Sequence, residues 1–466
     1  MKKIAIVYDD LDNAVRKRAL EELTKIILEY TLEYPVCIPS AEYGADSDYY
    51  PIYLGTKSSN AHIASTSSVS LGKPEEYYLG VFADHAVIEG FDDAGALYGA
   101  LDFYARYIVK KEHPENDTYW QNPFLAEGLP CYEFSSAPSV RERGLWTWGH
   151  VIYDYRGYID NMMRLKMNSV IIWNDFAPAN ARDIVEYAHA RNIKVIFGFA
   201  WLWDRRCDLV DVKNLDGFSE KIFEKYEREY AHLGADGIYF QTFTELKEDN
   251  IGGVLVAQAA ADFVNKTAAL FYKKYPEIEL QFGLHATSVK EKLGFIATVD
   301  PRIRIVWEDC GAFPFSYVPT DLEGYEEAME LAVKTALLRG DNDKYGAVTK
   351  GLVKLDWPSF EHMTASHCVG VSSELMKRNR IERKSRIWRY IQAGWIANAD
   401  KAHEMIRALS LAKGGDLSLY ALVEDGMFEE NILYPVALYA EMLWDCSSDT
   451  KELTSRVALR SYVSFA

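Results

Sequence analysis

The chain has 466 residues, 49% hydrophobic, 14% aromatic and 26% charged, with 15 Pro and 29 Gly, a globular composition that excludes collagen-like, coiled-coil and disordered proteins. At about 150 residues per domain the length predicts about three units. Acids outnumber bases 69 to 51, for a net charge of −18, which repels nucleic acid and anionic lipid unless a basic patch offsets it. The one basic run, Lys377-Arg378-Asn379-Arg380 through Arg386, reads as the solvated face of a helix.

Ile4-Ala5-Ile6-Val7-Tyr8 predicts a strand and is cut by Asp9-Asp10, so it is no signal-peptide core. No stretch approaches the roughly 18 apolar residues of a membrane span. Cysteines 37, 131, 207, 310, 368 and 446 are scattered, with no CxxC or metal-ligand spacing, and are expected to be reduced thiols. A cytoplasmic protein is the expectation.

Residues 1–130 predict a small α/β domain. A helix over Asn13–Tyr30 follows the first strand, then strands at Tyr50–Gly55, Tyr77–Val81 and His85–Gly90 and a helix from Ala94 to Val109. The polar stretch 110–130 reads as a linker. From 139 onward short apolar strands alternate with amphipathic helices, the signature of a parallel sheet. The strands are Gly144–Trp148, Ser169–Asn174, Lys194–Ala200, Gly237–Phe243, Glu279–Leu284, Arg302–Trp307 and Tyr345–Leu355, with a weakly marked eighth near His367–Ser373. The best-formed helices are Phe218–Leu233, Leu255–Tyr275 and Leu322–Leu338. Eight βα units over about 235 residues predict a (β/α)8 barrel spanning 139–374. No GxGxxG or GxxxxGK[ST] supports the alternative of a doubly wound nucleotide-binding sheet. Residues 375–466 predict a helical C-terminal region.

A barrel builds its site at the C-terminal ends of its strands. Standing there are Trp146 and Trp148; Trp173, Asn174 and Asp175; Trp201, Trp203 and Asp204; Glu245; His285; Trp307, Glu308 and Asp309; and Asp356 with Trp357. Seven of 11 tryptophans thus fall at strand ends. Indoles interleaved with carboxylates and amides suit a sugar, whose apolar ring faces stack while its hydroxyls take polar partners; the competing role is plugging the barrel top. Alternation gives Glu245 the face of Gln241, toward the interior, and gives His285 the face of Gln281 and Gly283. It does not choose between the adjacent Glu308 and Asp309. Asp175 and Asp204 suit hydroxyl binding or helix capping.

Carboxylates across a barrel mouth are the parts needed to cleave a glycosidic bond, one as acid and one as nucleophile or base. The candidate catalytic residues are Glu245, Glu308, Asp309 and Asp356. The candidate sugar pocket is Trp146, Trp148, Trp173, Asn174, Asp175, Trp203, His285, Trp307 and Trp357. No HxH, HExxH or GxSxG occurs, so neither a metal, another cofactor nor a nucleophilic serine is expected. The partner implied is an oligosaccharide, with homo-oligomerisation left open. Two other classes remain in play: a catalytically silent carbohydrate-binding barrel, and a metal-dependent sugar isomerase or lyase.

Two segments carry a resemblance. Tyr77-Tyr78-Leu79-Gly80-Val81 through Gly90-Phe91-Asp92-Asp93-Ala94-Gly95-Ala96-Leu97-Tyr98-Gly99-Ala100-Leu101 resembles the small domain preceding the barrel in β-hexosaminidases, O-GlcNAcases and α-glucuronidases. Arg143-Gly144-Leu145-Trp146 followed by Ile159–Lys166 and Met167-Asn168-Ser169-Val170 resembles their first barrel unit. The resemblance covers about the first 175 residues and implies a general acid after strand four, which here is Glu245. β-Hexosaminidases carry an Asp before that Glu, and Thr244 stands in its place. The layout is more similar to α-glucuronidases, for which Glu308 or Asp309 would be the base and Arg205, Arg206 or Lys247 the partner of a uronate.

Overall fold

A computed structural model describes residues 2–31, 33–44, 48–107, 110–112, 118–120, 131–148, 152–174, 176–202, 214–245, 249–251, 253–285, 289–309, 324–340, 343–353, 365–424 and 428–466. The chain divides into two compact units: Met1–Ser139 with His189–Asn192 and Lys451–Val463, and the remainder from Val140.

The first unit is a six-stranded sheet of β1 (Lys3–Tyr8), β2 (Val36–Pro39), β3 (Tyr49–Thr56), β4 (Tyr77–Val81), β5 (Ala86–Gly90) and β6 (Tyr132–Ser136), in the order β2-β1-β3-β5-β4-β6. Strands β2, β1, β3 and β5 run parallel, while β4 is antiparallel to both its neighbours. Helix α1 (Ala14–Thr31) buries Ala19, Leu20, Leu23, Ile26 and Ile27, one apolar stripe at helical spacing. Helix α3 (Asp93–Tyr107) begins hard against the sheet: a Cβ on Gly95 would lie 2.3 Å from the Glu76 carbonyl oxygen, which accounts for the glycine. A short α2 (Ala61–Thr66) precedes β4, and the stretch expected to be a linker carries a hairpin pairing Lys110–Glu112 with Thr118–Trp120.

The second unit is a closed barrel of eight parallel strands: β7 (Glu142–Trp148), β8 (Ser169–Trp173), β9 (Lys194–Gly198), β10 (Gly237–Phe240), β11 (Glu279–His285), β12 (Arg304–Glu308), β13 (Tyr345–Leu352) and β14 (Leu417–Val423). Helices α4 (Tyr155–Arg164), α5 (Ala181–His189), α6 (Leu215–Glu229), α7 (Val256–Lys274) and α8 (Tyr325–Ala336) lie between strands. The expected (β/α)8 architecture is present, with one correction. The eighth strand is β14, not His367–Ser373, which is irregular and makes a single bridge from Val371 to Asp154. The 40-residue α9 (Glu374–Lys413), kinked at Asn398, intervenes between β13 and β14. Residues 375–466 are therefore mainly helical but contain the strand that closes the barrel. Helix α9 buries Trp388, Ile391, Trp395, Ala402, Ile406 and Leu409, and Trp395 Nε1 donates to the Gly351 carbonyl oxygen at 3.0 Å, tying it to β13.

Strand alternation sends every second side chain into the barrel. The lowest interior layer is ionic. Glu142 accepts from Lys194 Nζ at 2.6 Å and from Ser418 Oγ at 2.7 Å, and lies 3.6 Å from Arg304, which donates through Nε to Glu279 at 2.9 Å. Above it Trp146, Ile171, Ile196, Tyr239, Val306, Val348 and Tyr420 form an apolar layer. Among the described residues Cys37, Cys131, Cys368 and Cys446 form no disulfide, and no helix is long and apolar enough to cross a membrane. Cys207 and Cys310 lie outside the described residues.

Burial pushes the Glu142 carboxyl up, but Arg304 and Lys194 override it and hold the pKa at about 2, below the ordinary 4.5. A depressed folded-state pKa contributes stability above 4.5 that is lost as pH falls toward 2. Arg304→Met leaves the buried Glu142 and the part-buried Glu279 with Lys194 alone and is expected to cost about 3–5 kcal/mol. Urea unfolding at neutral pH checks it, and a loss under about 1 kcal/mol would count against the network.

Candidate functional site at the C-terminal mouth of the barrel

The best-defined polar cluster sits at the C-terminal ends of β10 to β13. Glu308 ends β12 on the inner face and is 1% exposed. Its Oε1 accepts from the Tyr239 hydroxyl and from Gln241 Nε2, and its Oε2 from Lys350 Nζ at 3.0 Å. His285, half-buried at the end of β11, stands beside it in register. Gly283, on the inner face of β11, makes the cluster possible: a Cβ there would lie 2.1 Å from the Tyr239 hydroxyl oxygen and 2.9 Å from Glu308 Oε1. Burial pushes the Glu308 carboxyl up, but the Lys350 ammonium, the Tyr239 hydroxyl and His285 together hold it below the ordinary glutamate range. Glu308 is therefore an anion at neutral pH.

The neighbouring Asp309 is fully buried on the opposite parity, and its Oδ2 accepts the Lys350 backbone N–H at 3.2 Å. Of the adjacent pair, Glu308 is the one that faces the barrel interior. Glu245 is the last residue of a 3-10 turn, Phe243–Glu245, directly beyond β10. Lys292 Nζ donates to the Thr244 carbonyl oxygen at 2.9 Å and so braces that turn. The side chain of Glu245 lies outside the described residues, as do that of Trp148 and the whole of Asp175, Trp203, Asp204, Arg205, Arg206, Lys247, Asp356 and Trp357.

The described tryptophans correct the sugar-pocket expectation. Trp146 and Trp173 face inward but are 1% and 2% exposed, with ring centroids 6.4 Å apart and 6.1 and 5.3 Å from Tyr239. They pack edge to face on each other and on Tyr239, and Lys350 Nζ lies over the Trp146 ring. Trp307 is 1% exposed and takes the parity opposite to Val306 and Glu308, toward the helix layer. Trp201 likewise packs outward, stacked 3.6 Å from Phe240 and 5.4 Å from Phe271 of α7. These four indoles are packing residues, because apolar rings at inner positions below the rim and at outer positions under helices are covered on both sides. Asn174 is buried and hydrogen-bonded to His367 Nδ1 at 3.0 Å.

Sequence reasoning missed Lys350, Tyr239, His367 and Glu424 as mouth residues. Lys350 carries a visible signal, a lone cation in the apolar run Tyr345–Leu352, two positions beyond Val348 on the same face. Glu424 follows β14 directly and pairs with Lys384, so it stays hidden as long as β14 is unrecognised. Among the described residues no group of three or more His, Cys, Asp or Glu is arranged to hold a metal ion.

No protein-family model and no curated protein matches the chain. Solved structures do. The protein CpGH84B matches over 98% of this chain at 13% identity and TM-score 0.55, and this chain spans 70% of its length. BtGH115A, a 4-O-methyl-α-glucuronidase with specificity for decorated arabinogalactans, matches over 98% of this chain at 13% identity and TM-score 0.52, with 60% of its own length spanned. A β-N-acetylhexosaminidase from Bacteroides fragilis matches over 98% of this chain at 13% identity and TM-score 0.53, with 90% of its length spanned. This chain has the fold of barrel glycoside hydrolases. At these identities the likeness is one of fold.

Gly283→Ala is expected to drive the Tyr239 hydroxyl off Glu308 and to destabilise the barrel by about 1–3 kcal/mol through overpacking. A shift in urea midpoint measures it; an unchanged midpoint would mean the cluster tolerates the methyl group and is not closely fitted.

Proposed function

We propose that the chain is a glycoside hydrolase, acting on the ends of short oligosaccharides, with Glu245 as general acid and Glu308 as the ionised partner. The observation that carries the reading is Glu308 itself: an interior carboxylate at a strand end of the barrel mouth, kept anionic by Lys350, Tyr239 and His285. A strand end of a (β/α)8 barrel is where such barrels keep their catalytic groups. Glu245 occupies the end of the fourth strand, two strands away around the barrel from Glu308.

In the reaction the glycosidic C–O bond breaks as Glu245 passes its proton to the leaving oxygen. Glu308, buried with both oxygens hydrogen-bonded, has to be uncovered when substrate binds, and then either attacks the anomeric carbon, to be released by water, or takes a proton from the water that attacks it. Both routes require one protonated and one ionised carboxyl group, and depression of the Glu308 pKa supplies the ionised one. For the sugar, an α-glucuronidase-like substrate is favoured over an N-acetylhexosaminide. Thr244 stands where a hexosaminidase would place the carboxylate that assists the acetamido group, and one fold relative is described as a 4-O-methyl-α-glucuronidase.

A hydrolysis screen over aryl uronides, N-acetylhexosaminides and neutral hexosides of both anomers tests the reading. Glu245→Gln and Glu308→Gln are each expected to lower kcat by about 10²–10⁴; Glu308→Gln also leaves the buried Lys350 ammonium unpaired and is expected to lower the melting temperature. Activity untouched by Glu245→Gln would remove it as the acid. Binding of glycans without hydrolysis of any would favour a carbohydrate-binding barrel instead.

A further inference from the structure

Lys350 is an unusual residue to find inside a barrel. Its side chain is 1% exposed and that of Glu308 is 2% exposed, so the pair is withdrawn from water. Moving both ions out of water costs several kcal/mol apiece, and a buried pair is often no more stable than apolar residues of the same volume. The fold has no evident need for it, since the layer beneath is filled by Trp146, Val306, Val348 and Tyr239. The ammonium lies 5.5 Å from the centroid of the Trp146 ring, whose negative face also favours it there. The backbone N–H of the same residue fixes Asp309, so Lys350 holds both members of the adjacent acidic pair, one through its ammonium and one through its amide.

We propose that Lys350 is a positioning residue that keeps Glu308 ionised and aimed in the glycosidase reaction, an inference that rests on the function proposed above. Among the described residues, the charged and titratable groups around Glu308 are Tyr239 on β10, His285 on β11, Lys350 on β13 and the adjoining Asp309. Lys350 is the one among them whose ammonium forms an ion pair with Glu308. Without it, Glu308 keeps the Tyr239 and Gln241 donors and the neighbouring His285 against full burial, and desolvation favours the protonated form. A base or nucleophile that must be ionised then works only at higher pH.

Two readouts on the full chain test this. The first is the Glu308 titration in 13C-carboxyl-glutamate-labelled protein, assigned by Glu308→Gln and read without substrate. Lys350→Met is expected to move the Glu308 pKa upward, and Lys350→Arg to hold it near wild type. The second is the pH profile of kcat on the substrate found by the screen. Lys350→Met is expected to move the acid limb to higher pH, with about tenfold or more lost at pH 5 relative to pH 8, while Lys350→Arg lowers kcat without moving the limb. In a Glu308→Gln background, Lys350→Met should cost nothing further. An unmoved Glu308 titration, an unmoved acid limb or additive losses would each overturn the proposal, and Lys350→Arg keeps it open to refutation if Lys350→Met fails to fold. A titration that moves in a protein that hydrolyses nothing would overturn the glycosidase reading and leave the hold of Lys350 on the Glu308 charge standing.

Discussion

Closing eight parallel strands into a barrel leaves half of their side chains with nowhere to go but inside, and every polar group among them must find its partner on another strand. Much of the second unit follows from that constraint. The base of the barrel satisfies it with two cations and two anions, Lys194 and Arg304 against Glu142 and Glu279, reinforced by Ser418 and Tyr420. Among the described residues, Glu308 at the C-terminal end is met by the Lys350 ammonium and two neutral donors. Apolar side chains separate the two layers.

The same constraint explains the tryptophans. An indole near a strand end can serve a ligand only if one of its faces reaches the mouth, and inner positions even one layer down are consumed by packing. Trp146 and Trp173 meet Tyr239 edge to face, a favourable aromatic arrangement that leaves no free face between them. Trp307 and Trp201 illustrate the other failure, since their parity turns them out under the helices.

The alternation of strands and helices, the barrel, the small α/β unit and the inward parity of Gln241, Gly283 and His285 were legible in the sequence, because periods of 2 and 3.6 are local properties of a chain. The eighth strand was not. Leu417-Ser418-Leu419-Tyr420-Ala421-Leu422-Val423 is apolar enough to be a strand, but it follows 40 helical residues, and distance along the chain hid its place between β13 and β7. Glu424 was lost with it.

Sequence by itself determined which residues could face the barrel interior. Tertiary structure decided which of them do so at the height of the mouth. Alternation fixes the face of a strand that a side chain takes, but height along the barrel axis depends on register and shear, which are properties of all eight strands together. Glu308 and Asp309 were indistinguishable because their strand carries arginines on one parity and apolar residues on the other, and either set could have lined the interior. The pairing of Gln281 with Arg304 and of His285 with Glu308 resolves the choice, bringing Tyr239, Gln241 and Lys350 from two other strands onto one carboxylate.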